Sequence, residues 1–99
     1  MLHIVNKSPQ DRNTLESCLR VAHTGGTVLL IEDGVYAVVK GNAVESKLKA
    51  AMGKFKVCAL APDVDARGIA DRVMDGVTLV DYAGFVDLVA ENKNCQSWL

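Results

Sequence analysis

The sequence predicts an α/β fold of three layers, a mostly parallel sheet of four to five strands with helices on both faces. Two observations predict it. Short β-branched and aliphatic runs alternate with segments of helical spacing along all 99 residues, and parallel strands joined by right-handed crossovers are the arrangement such alternation produces. The run Thr27–Ile31 also lacks polar alternation, as expected of a strand covered on both faces.

The first strand is Leu2–Asn6, ended by Lys7-Ser8-Pro9, which carry turn and helix-start chemistry. Asn13 and Glu16 have capping-box spacing, and Leu15, Cys18, Leu19 and Ala22 recur at helical intervals until Thr24-Gly25-Gly26. After the second strand, Asp33 is placed to cap a short helix carrying Val35, Val38 and Val39 and closed by Gly41. A further helix follows with Val44, Leu48 and Ala51 on one face and Gly53 beyond its end.

Lys56–Leu60 reads as the third strand, Ala61–Gly68 as a loop, Ala66–Val73 as a helical turn or two, and Val77–Val80 as the fourth strand. Asp81 caps a last helix whose apolar residues include Phe85, Leu88 and Val89. The tail 93–99 is polar except for Trp98 and Leu99, and suits a short edge strand or a docking arm. With no linker or repeat, one domain over residues 1–99 is expected, burying roughly 60–70% of its unfolded surface.

Composition narrows the chemistry. Eleven Lys and Arg are scattered among twelve Asp and Glu, so the basic stripe that draws nucleic acid is absent and direct nucleic-acid binding is not expected. No run approaches the roughly 20 apolar residues of a membrane span, and the opening apolar run is too short for a secretory signal. A cytoplasmic protein is expected. Cys18, Cys58 and Cys95 fit neither a disulfide framework nor a paired metal motif, and His3 and His23 have no neighbouring ligand. With no Walker or dinucleotide glycine pattern either, neither metal nor cofactor is expected.

Three loops fall at the carboxyl ends of strands, where parallel sheets bind ligands: 6–9, 32–34 and 61–68. Their Ser8, Asp33 and Asp63 are also ordinary turn and capping residues. Cys18 is the candidate sulfur nucleophile, with Arg20 and Arg12 near it in sequence, although its place on the stripe of Leu15 and Leu19 equally describes a buried thiol. Cys58 reads as structural within its strand. Cys95 reads as accessible but lacking the fixed geometry that transfer demands. Tyr36, Tyr82 and Trp98 are the candidate interface residues; for Trp98 the alternative is packing against the last helix.

An ordered set of segments carries a resemblance. It comprises Met1-Leu2-His3-Ile4-Val5-Asn6-Lys7-Ser8-Pro9, Leu29-Leu30-Ile31-Glu32-Asp33-Gly34-Val35-Tyr36-Ala37, Ala61-Pro62-Asp63 running into Ala66-Arg67-Gly68, Val80-Asp81-Tyr82 with Phe85-Val86, and Trp98. Taken together they resemble the TusB/DsrH family of sulfur-relay subunits. The resemblance implies a flavodoxin-like domain that assembles with paralogous TusC/DsrF-like and TusD/DsrE-like subunits, two copies of each. It also implies a TusE/DsrC-like sulfur carrier as a further partner.

Such complexes pass persulfide sulfur toward tRNA wobble-uridine 2-thiolation or within sulfur oxidation, and the principal sulfur-carrying cysteine belongs to the D/E-type partner. The B/H-type subunit is similar to an accessory member, with Cys18 at the place of a cysteine found in the DsrH-like branch, which tilts the resemblance toward sulfur oxidation. The alternative reading is a stand-alone homo-oligomeric module binding a small ligand through Lys7, Asp33 and Arg67. A homo-oligomer is also possible for the chain isolated from its partners.

Overall fold

Five strands, β1 (Leu2–Val5), β2 (Thr27–Leu30), β3 (Lys56–Leu60), β4 (Thr78–Val80) and β5 (Cys95–Trp98), pair in parallel in the order β4-β3-β2-β1-β5. Between them lie α1 (Thr14–Val21), the 3-10 helix η1 (Glu32–Val38), α2 (Glu45–Ala51), α3 (Ala61–Ala66), the 3-10 helix η2 (Ala70–Arg72) and α4 (Tyr82–Glu91). The computed structural model describes residues 1–9, 13–21, 25–92 and 94–98. Arg12, Ala22, His23, Thr24, Lys93 and Leu99, which figure in the sequence reading, lie outside the described residues.

Strand order dictates the layers. From β1 to β4 each step moves the same way across the sheet, so right-handed crossovers put their helices on one face; the return from β4 to β5 puts α4 on the other. Side chains obey this. Val5, Val28, Leu30, Val57 and Ala59 join Leu15, Cys18, Val35, Leu48 and Val64 in the larger core. The alternate residues Leu2, Leu29 and Cys58 meet Leu88 in a smaller one, flanked by Ile4, Ile31 and Phe85. Central strands therefore bury both faces, which accounts for the unbroken apolar character of β2.

Several local expectations hold. The Asn13 carbonyl accepts the Ser17 N–H at 3.1 Å, so α1 begins at the capping position, and Asp81 Oδ1 accepts the Gly84 N–H at 2.7 Å as the N-cap of α4. Others need correction. Asp33 caps nothing: it lies inside η1, whose N-cap is Ile31 with no side-chain cap. Residues 61–66 form helix α3 directly after β3, with Pro62 in its first turn, where a missing N–H costs nothing. The stretch 66–73 is the end of that helix, a turn at Gly68 with φ 66°, and η2.

Within the tail, Cys95–Trp98 form an edge strand on β1. At the end of β1 the chain also makes a close approach, since a Cβ on Gly34 would run into the Val5 carbonyl oxygen. Among the described residues no helix is long and apolar enough to cross a membrane.

Candidate functional site

At the carboxyl edge of the sheet, Arg67 reaches back from the end of α3 to η1. Its Nε and Nη2 donate to Asp33 Oδ1 at 3.1 and 3.0 Å, and its Nη1 lies 3.7 Å from Asp63 Oδ1. The guanidinium carbon stands 6.0 Å from the centre of the Tyr36 ring, within cation–π range. The second oxygen of Asp63 accepts the Glu32 N–H at 2.7 Å. That bond satisfies a helix-start donor that no η1 side chain caps, at a residue held in the left-handed region with φ 50°.

This network fastens η1 to α3 and occupies its only guanidinium with two carboxylates. Of the expected ligand trio, Asp33 and Arg67 therefore meet as partners of each other, while Lys7 stands exposed at the end of β1. The i,i+4 spacing of Asp63 and Arg67 was legible in sequence. Their link to Asp33 and Tyr36 was not. Among the described residues no three His, Cys, Asp or Glu side chains gather in a way that could hold a metal.

The thiols divide by environment. Cys18 is fully buried on the inner side of α1, and burial pushes its thiol up to about 11. Its neighbour Arg20 is exposed and donates to Ser17 Oγ at 3.3 Å. A thiol that stays protonated and out of solvent has the character of a core side chain rather than of a nucleophile. Cys58 is likewise buried in the smaller core, its thiol raised by burial against the opposing charge of Lys56. Cys95 is exposed at the start of β5, in an ordered strand rather than a loose tail.

The three aromatic candidates have different fates. Trp98 is docked within its own chain: its Nε1–H donates to Nδ1 of buried His3 at 3.1 Å, with the rings 6.1 Å apart. It packs beside the larger core, on the opposite face of the sheet from α4, so its intramolecular packing is with His3 rather than with the last helix. Tyr36 is partly buried under Arg67. Tyr82 is 63% exposed.

Tyr82 does not stand alone. Val86 is 65% and Val89 41% exposed, so the positions i, i+4 and i+7 of α4 form an apolar stripe facing solvent while Phe85 and Leu88 face the sheet. Val89, one of the apolar residues expected on this helix, thus faces outward. Sequence reading overlooked Val86 as a surface residue, although the 82-86-89 spacing was there to be read.

Comparison with known proteins agrees with this architecture. The family model described as DsrH like protein matches residues 7–95. The protein TusB of Enterobacter sp. (strain 638) is 37% identical over 98 residues, covering 99% of this chain and 100% of that one. The protein TusB of Escherichia coli (strain K12) is 35% identical with the same coverage. In fold, the crystal structure of the ychN protein from E. coli matches with a TM-score of 0.84 at 18% identity over 97% of each chain. With the family model spanning most of the chain and full-length relatives above 30% identity, the chain belongs to the TusB/DsrH family.

Proposed function

We propose that the chain is an accessory subunit of a cytoplasmic sulfur-relay complex, acting as one folded unit over residues 1–99. It assembles with paralogous TusC/DsrF-like and TusD/DsrE-like subunits through the outward face of α4, and a cysteine of a partner carries the persulfide toward a TusE/DsrC-like carrier. The observation that carries this reading is the solvent-facing stripe of Tyr82, Val86 and Val89 on a helix whose other side is already buried. A helix apolar on both sides is out of place on the surface of an unpartnered protein.

Burial of Cys18 supports the accessory role, because persulfide transfer begins with an accessible thiolate. The TusB name of the relatives above favours the tRNA-thiolation branch over sulfur oxidation. The test is co-expression with C/F-type and D/E-type paralogues in the presence of a persulfide donor, followed by intact-mass measurement. Assembly is expected, with the added mass of sulfur on a partner alone, and Val86→Asp should abolish co-purification while leaving the isolated chain folded. A chain that joins no paralogue, or sulfur on this chain that disappears in Cys18→Ser, refutes the proposal.

A further inference from the structure

On the sheet face opposite α4, α1, α2 and the turn after α2 line a cleft of about 580 Å³, well within the ~300–1,000 Å³ typical of binding clefts. Its floor is apolar, with buried Phe55 and Ala51 beside partly buried Leu19. Its rim is basic. Arg20, Lys47 and Lys54 line it against a single carboxylate, Glu16, although the whole chain has a formal net charge of −1. Glu16 is taken by Lys47 in an ion pair at 2.9 Å that ties α1 to α2. Among the described residues Arg20 and Lys54 make no ion pair.

The wall is also braced. The turn after α2 is fixed by Lys54 and Phe55 N–H bonds to the Ala51 carbonyl, at 2.8 and 2.9 Å, and by the Gly25 N–H to the Lys54 carbonyl at 2.7 Å. That turn feeds the start of β3, so the cleft sits toward the amino-terminal edge of the sheet, away from the Arg67 network.

We propose that this cleft docks an acidic amphipathic segment of a partner polypeptide. The segment's carboxylates lie against Arg20 and Lys54, and an apolar side chain between them lies against Leu19 and Phe55. Charge complementarity selects the acid: the local surplus of cations runs against the average of the chain. The floor selects a polypeptide with apolar side chains over phosphate or nucleic acid. Compact anions are held by free backbone N–H groups at helix N-termini, whereas the Lys54 and Phe55 N–H groups here are already taken by the Ala51 carbonyl.

The proposal does not rest on the role of α4. The two surfaces lie on opposite faces of the sheet, so one chain can hold two partners at once, one through apolar contact and one through charge-led contact.

The test uses the isolated, isotopically labelled chain and a short blocked peptide, Glu-Leu-Glu-Phe-Glu, followed by amide chemical shifts. Saturable shifts are expected at residues 19–20 and 50–55. They should weaken about tenfold in the double variant Arg20→Glu, Lys54→Glu, and similarly with a Gln-Leu-Gln-Phe-Gln peptide. Both substituted side chains are exposed, and an unchanged spectrum elsewhere confirms the fold of the variant. The proposal is overturned if the glutamine peptide binds equally well, if the double variant binds as wild type, if the shifts fall on Tyr82 and Val86, or if inorganic phosphate moves the same amides to the same extent. Failure of the peptide to bind at this cleft leaves co-assembly through α4 to its own test.

Discussion

Replacing Cys18 by alanine tests its burial through the pH dependence of stability. At neutral pH the substitution removes one buried sulfur and leaves a small void, at a cost of about 1–2 kcal/mol. At alkaline pH a second effect opposes the first. In the unfolded chain the thiol has its ordinary value of 9.0, whereas in the fold burial pushes it up to about 11. Between these values the unfolded state has lost a proton that the native state retains.

The stability contributed by the protonated thiol is therefore complete below about pH 9 and is lost as pH rises through about 11. Two pKa units correspond to about 3 kcal/mol, of which about 2 kcal/mol is lost by pH 11. The assay is urea unfolding of wild type and Cys18→Ala from about pH 7.5 to 11, on the two-state footing usual for a domain of this size. Lysine, tyrosine and Cys58 ionisations are common to both chains and cancel in the difference. The advantage of wild type should shrink to nothing or reverse. A constant gap across that range would mean that Cys18 is solvated in the native state, and the accessory reading would lose its chemical support.

Other substitutions probe the frame around the site. Gly34→Ala forces a Cβ into the Val5 carbonyl and should cost about 3 kcal/mol or more, read as a fall in urea midpoint with unchanged m-value. Trp98→Phe removes the hydrogen bond to His3 and should cost about 1 kcal/mol, with faster amide exchange confined to β5. Glu32→Gly should leave stability within about 0.5 kcal/mol of wild type, because glycine accepts the φ of 50°, whereas Glu32→Val should cost about 1 kcal/mol.

What the sequence made legible was local. The strands announced themselves by β-branched runs, α4 by the Asp81 cap, and the edge strand by a tail with one large apolar anchor. Contacts between distant segments were hidden. Asp33 looked like a cap because its type and position suit one; the donor at Glu32 goes instead to Asp63, thirty-one residues on. Trp98 had a natural neighbour in the adjacent α4, but the return crossover places β5 beside β1, so its side chain meets His3.

The loop expected at 61–68 was a missed local signal, since proline in a first turn marks a helix start as well as it marks a loop. Cys18 was ambiguous for a different reason: helical spacing shows which residues share a face, and only the packed structure shows that this face is the core.

Pairing of β5 with β1 joins Leu2 to Cys95 and Val5 to Trp98, uniting segments from opposite ends of the sequence. Before β5 docks, the outer edge of β1 is a row of unpaired backbone donors and acceptors, equally suited to the β5 of a neighbouring copy. The intramolecular strand wins by proximity, since α4 hands the chain to β5 after only residues 92–94 and so sets its effective concentration. Whatever grips α4 thus holds a helix that only residues 92–94 separate from the strand covering the outer edge of β1.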